Sequence, residues 1–251
     1  MHKLPTFIYE KRLWKKGYKI VVGLDEVGRG AWAGPLIVGA TVFAPTTRSK
    51  IKDKSEESKR NLFIDVESCG INDSKKLTPK KREQLNDLIK EGCLAWAIAE
   101  VPVSVINRLG IGKATQIGFR RAVSHIRKKL NTPVDFILVD AFYVSRLVGL
   151  PQGRGKGKLA LTGKVRRGGR QLPIIKGDQK SISIAAASII AKVYRDNLME
   201  KLSCRDCFYG WERNKGYGTA EHQAALRRHG LSRFHRKQFV ATGMKNSNLI
   251  Q

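Results

Sequence analysis

Three short apolar stretches in this 251-residue chain each lead to an acidic residue, and that repetition constrains the fold more than any other feature. Lys19-Ile20-Val21-Val22-Gly23-Leu24 precedes Asp25-Glu26, Val134-Asp135-Phe136-Ile137-Leu138-Val139 precedes Asp140, and Ile174-Ile175 leads through Lys176-Gly177 to Asp178. Short β-branched runs bounded by turn residues read as buried strands. In α/β sheets the carboxyl ends of such strands converge on one rim, where sites form. Four carboxylates on one rim repel each other unless cations lie between them. An all-oxygen donor set suits a hard ion, Mg²⁺ or Mn²⁺. The bland alternative, that each acid caps a helix or pairs with a lysine, weakens when all four must be explained together. Adjacent strand residues point to opposite faces, so Asp25 and Glu26 are expected to share a site only if the strand ends or bulges, and Gly28 and Gly30 supply a break.

The remaining patterning implies an α/β fold. Residues 34–43 read as a second strand, joined to the first by a Gly/Pro-containing turn as a hairpin. Thr78-Pro79 opens a helix with an N-cap hydroxyl and a proline at the first helical position. Leu85, Leu88 and Ile89 form its buried stripe, and Gly92 closes it. Residues 93–101 read as a third strand. Ala114, Ile117, Ala122, Ile126 and Leu130 lie at helical spacing, with Asn131-Thr132-Pro133 as the stop. Residues 181–202 read as a further helix. The expected organisation is an N-terminal arm over 1–19, a catalytic domain over 20–202 and a basic helical C-terminal region over 203–251.

Lysine and arginine number 48 against 21 acidic residues, a formal charge of +27. Such an excess repels itself, and nucleic acid is the partner best suited to neutralise it, through counterion release. The alternative is a charged, soluble surface with no ligand. With 41% apolar residues the chain can bury a core. No apolar run approaches the roughly 20 residues of a spanning helix, and Met1-His2-Lys3-Leu4-Pro5 lacks the apolar centre of a signal peptide. Four cysteines suggest reduced thiols in a cytoplasm, and Cys204-Arg205-Asp206-Cys207 is a lone C-x-x-C with no second pair to complete a zinc site. Residues 45–67 read as a polar insertion. Residues 149–173 carry Arg154, Lys156, Lys158, Lys164, Arg166, Arg167 and Arg170 with no acid, and read either as a basic ribbon along a phosphate backbone or as an unstructured insertion.

Asp25-Glu26-Val27-Gly28-Arg29-Gly30, followed by Ala33-Gly34-Pro35, resembles the signature of the ribonuclease HII (type 2 ribonuclease H) family. Further blocks follow in the family's order: Asn72-Asp73-Ser74-Lys75-Lys76-Leu77, Val139-Asp140-Ala141, Lys176-Gly177-Asp178, the Ala185–Val193 helix stretch, Asn214-Lys215-Gly216-Tyr217-Gly218-Thr219, His222 and His235-Arg236. The resemblance covers about residues 20–240. It implies a ribonuclease H-like fold, a central mixed β-sheet flanked by helices with a small helical C-terminal part. It also implies that Asp25, Glu26, Asp140 and Asp178 are catalytic and hold two divalent ions, Mg²⁺ or Mn²⁺.

The activity implied is endonucleolytic cleavage of the RNA strand of RNA/DNA hybrids, and of duplex DNA 5′ to single ribonucleotides. The products would carry 3′-hydroxyl and 5′-phosphate ends, in the service of ribonucleotide excision repair. Gly28, Arg29, Gly30 and Tyr217 would sense the ribose 2′-hydroxyl, the group that marks RNA. Asn72, Ser74, Lys75 and Lys192 would contact substrate, Lys192 either reaching a phosphate or neutralising the acids. Ser188 is expected to pack, Asp196 to form a salt bridge, and His222 and His235 to be structural or phosphate-facing. A monomer is expected. Ala31-Trp32 departs from the proline and smaller residue frequent in the family. A type 3 ribonuclease H, which typically has lysine at the place of Arg29 and a separate N-terminal domain, and a non-catalytic nucleic-acid binder are the competing readings.

Overall fold

The computed structural model describes residues 4–45, 69–147 and 170–248, so the insertions at 45–67 and 149–173 fall almost wholly outside the described residues. Five strands form one mixed sheet in the order β3-β2-β1-β4-β5. β1 (Val21–Val27), β2 (Leu36–Val42) and β3 (Ala95–Val101) form an antiparallel meander. β4 (Phe136–Asp140) lies parallel to β1, and β5 (Gln171–Ile174) parallel to β4. The helices are α1 (Ile8–Lys15), α2 (Pro79–Gly92), α3 (Val103–Leu109), α4 (Ile111–Leu130), α5 (Ile182–Arg205), α6 (Trp211–Asn214), α7 (Ala220–His229) and α8 (Lys237–Asn248).

Alternation along the strands sends side chains to two cores. Val22, Leu24, Val38 and Ala40 meet Phe119, Ala122, Val123 and Ile126 of α4 on one face. On the other face Ile182, Ala185, Ala186 and Ile189 of α5 pack with Phe7, Phe43 and Ile89. The alanine-rich half of α5 lets it lie close to the sheet. A Cβ on Gly39 would collide with the carbonyl oxygen of Ala187.

Local signals behave as the chemistry dictates. The Thr78 hydroxyl accepts from Lys81 N–H with Pro79 at the first position of α2, and Asn131 takes the left-handed conformation that ends α4. The hairpin of β1 and β2 forms as read.

Beyond shifts of one or two residues at the ends of β2, β3 and β4, three boundaries and one element differ from the sequence reading. β1 does not stop at Asp25; its pairing with β2 continues unbroken through Glu26↔Val38 and Val27↔Ile37. β5 begins at Gln171 rather than Ile174, because pairing with β4 fixes it, and Pro173 is tolerated on an edge strand. α3, seven residues between Pro102 and Gly110, is too short to show a period in sequence. α5 runs through residue 202 to Arg205, crossing the boundary expected before the C-terminal region.

Substituting Gly39 tests the sheet–helix contact. Gly39→Ala is expected to destabilise by about 1–3 kcal/mol, the usual range for overpacking a core, read as a lower urea midpoint. An unchanged midpoint would show that α5 does not press on β2 at this point.

Candidate active site

The pairing of β1 with β4 ends at Leu24↔Val139. Beyond it β1 continues beside β2 alone, while β4 ends at Asp140. A notch opens at the sheet's rim there, and side chains from both faces of β1 can reach it. No bulge is required, which answers the difficulty of adjacent residues pointing apart. Asp25, Glu26, Asp140 and Asp178 all line one cleft of about 480 Å³ at this notch. Asp178 arrives on the 3₁₀ turn Gly177–Gln179, anchored by Gly177 N–H donating to Asp140 Oδ1 at 2.7 Å.

Burial raises the pKa of all four carboxylic acids, and neighbouring acids add to it in each case. Asp25 lies well above the usual range, from burial and then the charges of Glu26 and Asp140. Burial, with Asp140 adding, pushes Glu26 up to about 7, against the pull of Arg29 and Lys75. Burial and then Asp73 and Asp140 push Asp178 up to about 6. Glu26 Oε2 is buried with no hydrogen-bond partner. An unsatisfied carboxylate oxygen amid repelling acids is the electrostatic signature of a cation site. Among the described residues, no three acidic, histidine or cysteine side chains are already drawn into a finished metal cage. The oxygen-only donor set fits a hard divalent ion.

The other expected residues divide. Gly28, Arg29, Gly30, Ser74, Lys75, Lys192 and Tyr217 line the cleft. Asn72 does not; its Oδ1 turns back to accept from Asp73 N–H. Ser74 and Ser188 share a hydroxyl–hydroxyl bond of 2.9 Å, and Ser188 also bonds Asp25, so Ser188 is more than packing. Lys192 Nζ sits 2.7 Å from Asp196 Oδ1, the salt bridge expected of Asp196, and Arg82 lies on the carboxylate's other oxygen at 3.6 Å.

Several residues that position the site were given no role in the sequence reading, although Asp73 and Arg236 stood inside the recurring blocks. Asp73 caps the 72–76 turn by accepting from Lys75 N–H at 3.0 Å, and accepts from Gln179 Nε2 beside Asp178. Two buried arginines hold the glycine loop. Arg236 donates to the carbonyls of Gly28 (2.7 Å), Arg29 (3.0 Å) and Gly34 (2.9 Å). Arg195 donates to those of Ala33, Pro35 and Lys215. Neither has a carboxylate ion-pair partner among the described residues. Burial, and then the charge of Arg195, pulls Arg236 down to about 9.

A trans peptide sets its C=O and N–H antiparallel. With the carbonyls of Gly28 and Arg29 drawn to Arg236, the N–H groups of Arg29 and Gly30 therefore point away from it. Gly28 has φ +85°, and a Cβ there would strike the Arg195 side chain. Trp32, the departure from the family pattern, is accommodated beside Gly218 and Gly243, where any Cβ would meet its ring.

The histidines are structural. Ser232 N–H donates to His235 Nδ1 (2.9 Å), His235 meets His222 through their Nε2 atoms (3.0 Å), and His222 Nδ1 meets the Tyr217 carbonyl (2.9 Å). The carbonyl only accepts, so His222 carries its proton on Nδ1 and His235 on Nε2. The chain closes with both rings neutral and fixes the turn bearing Tyr217, a residue 38% exposed.

The sequence and the fold have counterparts among known proteins. A family model described as Ribonuclease HII matches residues 22–242. The chain belongs to the ribonuclease HII family. Ribonuclease HII of Halalkalibacterium halodurans is 42% identical over 231 residues, 92% of this chain and 71% of that protein. Ribonuclease HII of Chlamydia caviae is 37% identical over 238 residues, 94% and 92% of the two chains. Ribonuclease H2 of Pyrococcus horikoshii shares the fold at TM-score 0.59 and 23% identity, over 88% of this chain and 95% of that one. Bst-RNase HIII in complex with Mn²⁺ also scores 0.59, at 20% identity over 89% and 65%. Fold likeness does not separate types 2 and 3; the family model and the sequence identities do. The ribonuclease HII chain is thus a ribonuclease H hydrolase, of a metal-dependent class that degrades the RNA of RNA/DNA hybrids. No helix among the described residues is long and apolar enough to cross a membrane.

The histidine chain predicts an acid limit. Burial, and then the neighbouring His222, pulls His235 down to about 4, and burial also lowers His222. An imidazole held neutral contributes stability that is present above its unfolded pKa of roughly 6.5 and lost as pH falls toward 4. Unfolding free energy is expected to drop on that account by on the order of 2–3 kcal/mol across this window. NMR titration of the ring protons checks the origin: a His235 titrating at or above 6.5 contradicts the assigned tautomers.

Proposed function

We propose that this chain cleaves the RNA strand of RNA/DNA hybrids and cuts duplex DNA on the 5′ side of single embedded ribonucleotides, leaving 3′-hydroxyl and 5′-phosphate ends. Asp25, Glu26, Asp140 and Asp178 hold two divalent ions, Mg²⁺ or Mn²⁺. The observation that carries the reading is the meeting, in one cleft, of four acids from three segments of the chain with the Gly28–Gly30 loop, whose carbonyls are taken up by Arg236. When bound, the ions supply an activated water and stabilise the charge on the departing 3′ oxygen.

The chain's own residues do the rest. Main-chain N–H groups of Arg29 and Gly30 offer donors to a 2′-hydroxyl, the group that distinguishes ribose. The exposed Tyr217 ring, placed by His222, offers a flat surface to the adjoining deoxyribose. Lys75 and Lys192 supply positive charge at the cleft wall, and Ser74 a hydroxyl, all suited to phosphate contacts that position without reading sequence. Asn72 supports the 72–76 turn that presents Ser74 and Lys75. The +27 charge favours a nucleic-acid duplex as partner. We assign the protein to the cytoplasm, as a monomer, in ribonucleotide excision repair.

A DNA duplex containing one ribonucleotide, incubated with Mg²⁺ or Mn²⁺, is expected to be cut once, 5′ to that ribose. Cleavage confined to long hybrids would refute the single-ribonucleotide specificity. Asp140→Asn is expected to lower turnover at least a thousandfold, about 4 kcal/mol of barrier, while duplex binding persists. A variant that turns over normally refutes the ligand assignment.

Tyr217→Ala is expected to lower cleavage at single ribonucleotides by roughly tenfold or more, about 1.4 kcal/mol. Cleavage of uniform hybrids should fall less. Equal losses on both substrates would assign Tyr217 a general structural role.

A further inference from the structure

The N-terminal arm delivers a carboxylate to a place that the proposed chemistry does not use. Glu10 of α1 is fully buried. Its Oε1 accepts from Ser181 Oγ at 2.6 Å and from Ser183 N–H at 3.0 Å, and its Oε2 is buried without a partner. Ser181 is the N-cap of α5, its hydroxyl accepting from Ile184 N–H. Glu10 therefore sits on the amino end of a 24-residue helix, where the helix dipole and the free N–H groups favour negative charge.

The segment gripped there is the one that follows Asp178. Lys180 and Ser181 N–H both donate to Gly177 O, so the 3₁₀ turn carrying Asp178 and the first turn of α5 form one hydrogen-bonded unit. The arm holds this unit at further points. Thr6 N–H donates to Lys180 O and Thr6 O accepts from Ile182 N–H, both at 3.3 Å, making a parallel bridge. Phe7, fully buried, packs edge-on to Phe43 at 5.2 Å and shares a core with Ile182. On the cleft side the same turn is held by Asp140 and Asp73, which themselves repel Asp178. Contacts to acids alone would leave the turn free to recede from the cluster. The arm bears on the other end of the unit and restrains it.

We propose that Glu10 is a positioning residue for the metal site: through Ser181 and Ser183 it fixes the turn that presents Asp178 to the cleft. This rests on Asp178 being a ligand, as proposed above. A buried carboxylate that only stabilised the fold would alter melting and nothing else, whereas a positioning role alters metal affinity in the folded protein.

Mn²⁺ alone, titrated into the full-length chain by calorimetry well below the melting temperature, reads this directly. Glu10→Ala, which removes both acceptors, and Glu10→Asp, one methylene short of the serines, are each expected to weaken Mn²⁺ binding by roughly five- to twentyfold. kcat should fall and recover partly at high Mn²⁺, with KM for the duplex little changed. Glu10→Gln keeps the length and an acceptor oxygen, so it is expected to stay within about threefold of wild type and provides the folded reference if Glu10→Ala fails to fold. Wild-type affinity in folded Glu10→Asp, whatever its melting temperature, overturns the inference while leaving the metal site standing. Wild-type protein that itself binds no Mn²⁺ overturns both.

Discussion

Mutual repulsion among four carboxylates, partly removed from water, is the constraint around which the rest of this structure is arranged. Each would be an ordinary surface acid if solvated alone. At the notch where β1 outruns β4 they share one cleft, and burial with shared charge raises every one of their pKa values. The cluster is locally acidic in a chain of formal charge +27, and the cations near it are few. Arg29 lies 3.8 Å from Glu26 and Lys192 is engaged by Asp196, while Asp73 holds only the backbone N–H of Lys75. Such a cluster is electrostatically unfavourable unless its acids are protonated or matched by positive charge.

Rigidity around the cleft comes from buried polar groups rather than from apolar packing alone. Arg195 and Arg236 are costly to bury without carboxylate partners. Their cost is offset by backbone carbonyls of residues 28–35, next to the cleft, and of Lys215. That exchange turns the N–H groups of Arg29 and Gly30 away from Arg236. Ser232, His235, His222 and the Tyr217 carbonyl form a second such device, a directional chain of neutral rings. The C-terminal segment thereby belongs to the cleft's construction: Arg236 and His235 reach back to strand-end residues two hundred positions earlier, and Ala33 bridges His235.

Where the sequence reading and the structure part, the reason is a neighbour that no local pattern encodes. Asp25 and Glu26 looked incompatible with one site unless the strand broke. The strand is continuous, and its partner β4 ends first, a fact about two chain segments more than a hundred residues apart. Asn72 lay inside a recognisable block, yet its side chain serves its own turn while Ser74 and Lys75 face the cleft. Ser188 was read as packing and is hydrogen-bonded to both Ser74 and Asp25. Glu10 stood in the expected N-terminal arm, but nothing along the chain showed that its carboxylate would meet Ser181.

The sequence by itself determined most elements and the family: strands from apolar runs, α2 from Thr78-Pro79, the acids at the strand ends, and the family from ordered motifs around Asp25, Asp140, Asp178 and Tyr217. These are legible because propensity, capping and side-chain chemistry act over a few residues. Only the tertiary structure decided which side chains meet: the notch that unites adjacent residues of β1, the arginines behind the glycine loop, the tautomers of the histidine pair, and the arm's hold on the turn of Asp178. Those depend on strand order and helix packing, in which distance along the chain carries no information about distance in space.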